Sequence, residues 1–159
     1  MKDRELNTAA EGGCMKTSIA QVDQCQAGVR TEIVFPEGVI GFTDHKRYCL
    51  VPEKSQEPFL WLETSIDGGP SFIIIDPREF KLDYAPQLSA QDKQALGVAQ
   101  SSECQFYAIV VVPKDSDRIS ANLLAPLAIN PRHRIGRQVV LQDQEYSVQH
   151  LILEEMLTA

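Results

Sequence analysis

Asp76, Glu79 and Asp83 make the densest acidic stretch of the chain. Two carboxylates held close in a fold can divide the roles of general acid and general base, so hydrolytic chemistry would start here. The local pattern favours another reading. Asp76-Pro77 after an apolar run is a turn initiator, and Glu79 and Asp83 alternate with Phe80, Leu82 and Tyr84 as solvent-facing positions of an extended segment do. Ser147 and His150 offer a hydroxyl and an imidazole without a third triad member, and local hydrogen bonds account for the pair. His45, His133 and His150 stand far apart with no second ligand at helical spacing, so neither a metal nor a cofactor is expected. Cys14, Cys25, Cys49 and Cys104 lie 11, 24 and 55 positions apart, without the two-residue gap of zinc knuckles or redox motifs. Free thiols are expected, with Cys49 and Cys104 behaving as buried small hydrophobes. No Gly-x-Ser-x-Gly elbow, phosphate-cradling Gly-Lys-Ser/Thr loop or dinucleotide fingerprint occurs. A small hydrolytic enzyme working through surface carboxylates is thus the weaker reading, and a protein-binding module the stronger.

Charge narrows the partners. The chain of 159 residues carries a formal charge of -7, and residues 1–30 contribute none of it, holding four basic and four acidic side chains. From residue 31 onward 11 basic face 18 acidic residues. Nucleic-acid binders neutralise phosphates with Lys and Arg, so this balance argues against an oligonucleotide-binding barrel and against direct nucleic-acid contact. Arg132, Arg134 and Arg137 beside His133 read as a solvated turn. Hydrophobic residues make up 43% and charged residues 23%, an ordinary globular balance, and ~150 residues suffice for one unstapled core. The longest apolar runs, such as 72–75 and 108–112, fall far short of the ~20 residues a membrane helix needs. The amino terminus begins charged and lacks a signal-type apolar run, so a cytoplasmic protein is expected. With no heptad seam, a monomer is the expected free state.

The elements that must position these residues are mostly short strands. Residues 1–28 read as a flexible extension in which 17–22 forms at most an edge strand, and the domain proper spans 29–150. Strands are predicted at 32–35, 47–51, 59–64, 71–75, 105–112, 119–124, 127–130 and 137–141, those at 47–51, 59–64 and 71–75 bounded by Pro, Gly or Asp. The run 105–112 is so continuously apolar that both its faces should be covered. One short helix is predicted near 89–96, from the Ser89 cap with Asp92 three residues on to the stop at Gly97. Residues 151–159 form a tail or a short helix. The fold class is mainly β, a small closed or nearly closed antiparallel β-barrel, which also removes exposed edges.

A series of fragments is more specific than any single motif. It runs Phe35-Pro36-Glu37-Gly38-Val39-Ile40-Gly41-Phe42, Asp76-Pro77, Tyr84-Ala85-Pro86-Gln87-Leu88 and Asn122-Leu123-Leu124-Ala125-Pro126. It continues through Ile129-Asn130, Gly136-Arg137-Gln138 and Tyr146-Ser147-Val148-Gln149-His150. In order and spacing this resembles the FliW family of flagellar assembly factors over residues 29–150. Most of the matching positions are turn and packing residues. Pro36, Gly38, Gly41, Pro126 and Gly136 are read as shaping turns, and Asn122 and Asn130 as satisfying buried backbone groups. Phe35, Phe42 and Tyr146 belong to the same motif set.

The resemblance implies two protein partners in the cytoplasm, newly made flagellin and the carbon storage regulator CsrA, held one at a time. Once flagellin is exported, the free protein would bind CsrA away from its RNA groove and antagonise RNA binding allosterically, derepressing flagellin translation. The expected docking surface is a partly exposed apolar groove with acids at its rim. Asp76, Glu79 and Asp83 are assigned to that rim, with Tyr84 as an aromatic anchor, the alternative for Tyr84 being core packing.

Overall fold

The computed structural model describes residues 30–114 and 116–158. The expected extension and its edge strand at 17–22 lie outside the described residues, as do Cys14 and Cys25. Within them the strands are β1 (Thr31–Val34), β2 (Arg47–Pro52), β3 (Leu60–Thr64), β4 (Ser71–Ile75), β5 (Gln105–Val111), β6 (Ser120–Ala121), β7 (Leu127–Asn130), β8 (Ile135–Gln138) and β9 (His150–Leu151). The helices are α1 (Ala90–Leu96) and α2 (Leu153–Thr158).

The strands pair in the order β4-β3-β2-β1-β8-β7-β5, and a further β4–β5 pairing closes these seven into a barrel. Closure gives each of those strands a neighbour on both sides. One seam departs from the antiparallel expectation: β1 and β8 run parallel through the single pair Val34 with Ile135. A 2.9 Å bond from Val34 N to the Arg134 carbonyl reinforces it.

β5 is the hub because its free side serves two partners. Gln105, Phe106 and Tyr107 pair with β7, whereas Val110 and Val111 pair with β6. The chain switches between them at Asn122, whose N–H donates to the Ile109 carbonyl at 2.9 Å while its Oδ1 accepts from Ala125 N at 2.9 Å. That turn is why the strand expected at 119–124 shrinks to β6. Pairing of β6 with β9 then extends the sheet away from the barrel.

Alternation along β4, β5 and β7 feeds two cores. Ile74, Leu127 and Ile129 join Phe35, Tyr48 and Leu62 inside the barrel. Ile75, Ala108, Val110 and Ala128 face outward into a second cluster with Phe80, Tyr84, Leu88, Leu96, Leu123 and Ile152. The apolar run of β5 is thus covered on both faces up to Val110, and its end at Val111 and Val112 is exposed.

Local chemistry sets the connections. Ser89 Oγ accepts from Asp92 N at 3.1 Å to cap α1, and Gly97 ends the helix with φ of 70°. Gly38 also sits at positive φ, where a Cβ would stand 2.7 Å from the Phe42 carbonyl. Gly136, expected to shape a turn, lies within β8 instead. A Cβ there would meet the Phe35 ring at 2.5 Å, so the glycine makes room for a core aromatic. Cys49 is buried and disulfide-bonded, a correction to the expected free thiol, because spacing along a chain does not say which sulfurs meet in space. Cys104 is free.

Candidate docking surface

At the end of β4 the chain enters a 3-10 turn, Pro77–Glu79, that Asp76 caps by accepting from Arg78 N at 2.9 Å. The Arg78 guanidinium returns to the same carboxylate at 2.8 Å. Asp83 pairs with Lys81 at 3.1 Å, which holds its carboxyl below the usual range and raises the lysine. Asp76 and Asp83 therefore each face their own cation, not one another. Glu79 is exposed.

The turn also breaks the expected alternation. Phe80 and Tyr84 point into the second core, but Leu82, between them, is 90% exposed. Tyr84 is a correction to the anchor assignment: it is 5% exposed, and its hydroxyl donates to the Leu123 carbonyl at 2.8 Å. Burial raises its phenol pKa well above the ordinary value. No free face of the ring is left for a partner.

Residues 145–157 pack against this segment. Phe80 stacks on His150 with ring centroids 5.8 Å apart, and Tyr84 meets Tyr146 at 4.8 Å. Ala85 N donates to the Tyr146 hydroxyl at 3.4 Å. His150 Nε2 lies 3.0 Å from Glu155, while Ser147 Oγ accepts from Gln149 N, so each makes its own local contact. These two adjoining segments hold Asp76, Glu79, Asp83, Glu145, Glu154 and Glu155 with Arg78 and Lys81, and Leu82 and Leu157 are exposed on them. Glu145, Glu154, Glu155 and Leu157 were missed by sequence reasoning, which had no means of folding the carboxyl-terminal segment back onto residues 76–84.

A groove of about 750 Å³ lies elsewhere, between residues 87–92 and 137–143. Its floor includes the buried side chains of Leu88, Val139 and Leu141. Arg137, read from the sequence as part of a solvated turn, has a side chain only 19% exposed; it reaches Glu37 at 2.7 Å and Asp92 at 3.0 Å. Gln138 accepts from Ile40 N at 2.9 Å and donates to the Ala125 carbonyl at 3.0 Å. Asp76, Glu79 and Asp83 do not line this groove, so the expected groove and the expected acidic rim are separate places.

Asn130 joins the remaining motif positions to the core. It donates to the Leu96 carbonyl at 2.9 Å and accepts from Arg132 N at 3.0 Å, tying α1 to the β7–β8 turn. Phe35 packs edge-on to Tyr48 at 5.4 Å, and Phe42 packs edge-on to Phe72 at 5.3 Å.

The family model described as FliW protein matches residues 16–152. The chain belongs to the FliW family. The match begins ahead of the domain start expected at residue 29. The chain is 38% identical over 125 residues to the flagellar assembly factor FliW of Alkaliphilus metalliredigens, covering 78% of this chain and 77% of that protein. It is 40% identical over 125 residues to that of Ruminiclostridium cellulolyticum, covering 78% and 84%. A crystal structure of the flagellar assembly factor FliW superposes with a TM-score of 0.68 at 28% identity, covering 76% of this chain and 84% of the other. The mainly β barrel with a short helix is thus the FliW fold, and the chain's relatives are named for flagellum assembly. Among the described residues no helix is long and apolar enough to cross a membrane.

Proposed function

We propose that this FliW-family protein works in the cytoplasm by docking other proteins, holding flagellin and, once flagellin has left, binding CsrA and antagonising its RNA binding allosterically. The observation that carries this reading is the surface built from residues 76–84 and 145–157. Glu79, Glu145 and Glu154 have no ion-pair partner there among the described residues, and Leu82 and Leu157 are 90% and 79% exposed. An RNA-binding regulator is basic, so a surface rich in carboxylates is drawn to it and, docked beside the RNA groove, sets negative charge against phosphate. Screening limits the reach of those charges to ~8 Å at physiological salt, so the two proteins must be in contact for RNA to feel them. Flagellin's amphipathic terminal helices would instead lay an apolar stripe over Leu82 and Leu157. One surface used in both ways explains why the partners exclude each other.

Calorimetry with purified flagellin and purified CsrA tests this. Both should bind the full chain, and a flagellin-saturated sample should take up no CsrA. Charge reversal by Glu79→Lys with Glu154→Lys should weaken CsrA about tenfold or more. Absence of binding to both proteins at micromolar concentration overturns the proposal; unchanged CsrA affinity in the double variant removes this surface from it.

A further inference from the structure

One wall of the 750 Å³ groove is the segment 137–143, which runs on from β8. Beyond β8 the chain stays extended. Val139 N donates to the Pro126 carbonyl at 3.0 Å and Leu141 N to the Leu124 carbonyl at 2.8 Å, so these two residues face the neighbouring segment. Alternation along an extended chain turns the N–H and carbonyl groups of Val140 and Gln142 the opposite way, away from residues 124–126, and both residues border the groove. Neither N–H has a hydrogen-bond partner among the described residues. The facing wall does not fill the gap, since Leu88 N is committed to Ser101 Oγ at 2.9 Å.

Natural sheet edges are blunted by Lys, by Pro or by bulges. Residues 139–143 read Val-Val-Leu-Gln-Asp, with neither Lys nor Pro, and Val140 is 57% exposed. The groove volume falls within the ~300–1,000 Å³ of ordinary ligand sites. Amide side chains of Gln87, Gln91 and Gln142 line it, and these can bond to a peptide backbone without reading its sequence.

We propose that residues 139–143 dock an extended, Lys- or Arg-bearing segment of a partner protein, which joins the sheet as an added strand in this groove. Main-chain bonds to Val140 and Gln142 hold it, and the apolar floor receives alternate side chains. Charge selects the occupant. The single cation, Arg137, is spent on Glu37 and Asp92, and the exposed carboxylate of Asp143 stands at the end of the edge. A second copy of this chain pairing through the same edge would bring a second acidic groove against the first, so charge disfavours it. This edge is separate from the surface of residues 76–84 and 145–157, and its test needs neither flagellin nor CsrA.

The probe is a short capped peptide of alternating lysine and valine, titrated into the full chain by calorimetry with amide exchange followed by NMR. The expected result is binding with slowed exchange at Val140 and Gln142. Methylating alternate peptide nitrogens should weaken it about tenfold, as should Val140→Pro, which removes the unpaired N–H and spares the N–H groups of Val139 and Leu141. Glutamate in place of lysine, or Asp143→Lys with the original peptide, should weaken it several-fold. Failure of the lysine–valine peptide to bind overturns the proposal. So does equal binding of the methylated peptide, a test that needs no variant to fold, or unchanged exchange at Val140 and Gln142 in the bound state. Sedimentation showing a dimer of the free chain that Val140→Pro dissolves would assign the edge to a second copy and overturn the proposed occupant.

Discussion

Tyr84 shows how much a single hydroxyl can decide. Its type and its place among acids left an interface anchor and core packing both open, and the side chain is buried with its O–H satisfying the Leu123 carbonyl. Tyr84→Phe should therefore cost about 1–2 kcal/mol in urea unfolding, from the lost bond and the carbonyl left dry, with partner affinity unchanged. Cys104 is the second informative residue. Burial, with the Glu103 charge adding to it, pushes its thiol from 9.0 up to about 11. Between those values the unfolded chain gives up the proton while the native chain keeps it. Stability is level below 9.0 and falls as pH rises toward 11. Urea midpoints measured below and above this window should drop, and Cys104→Ser should abolish that part of the drop. Neither effect was legible in the sequence, since both depend on what surrounds the side chain.

Elements were more legible, and the errors are instructive. The strand expected at 71–75 matches β4, and α1 follows its cap and stop signals, because these depend on neighbours within a few positions. Ser89→Ala should lower stability by about 1 kcal/mol, read as a fall in the thermal midpoint, because the cap bond to Asp92 N is lost. Failure came where long-range contacts redirect the chain. Period-two alternation predicted Phe80, Leu82 and Tyr84 inside, but beyond the turn capped by Asp76 only Phe80 and Tyr84 point inward and Leu82 turns out. Residues 119–124 have the composition of one strand, yet Asn122 bends them between two partners of β5.

For the whole molecule, the negative balance from residue 31 onward has a consequence that salt can test. Under the proposed function, CsrA affinity should fall steeply as ionic strength rises, whereas flagellin affinity, assigned there to Leu82 and Leu157, should change little; paired calorimetry at low and high salt reads both. By itself the sequence determined the mainly β class, the helix at its cap and stop, the charge and the family resemblance, since each follows from local spacing or from order along the chain. Tertiary structure alone decided that seven strands close while β6 and β9 branch off. It also brought residues 145–157 onto 76–84 and set Arg137 between Glu37 and Asp92. The reason is physical: strand closure and ion pairing join groups tens of residues apart. Which partner each group finds is settled by packing of the whole core, to which no local window has access.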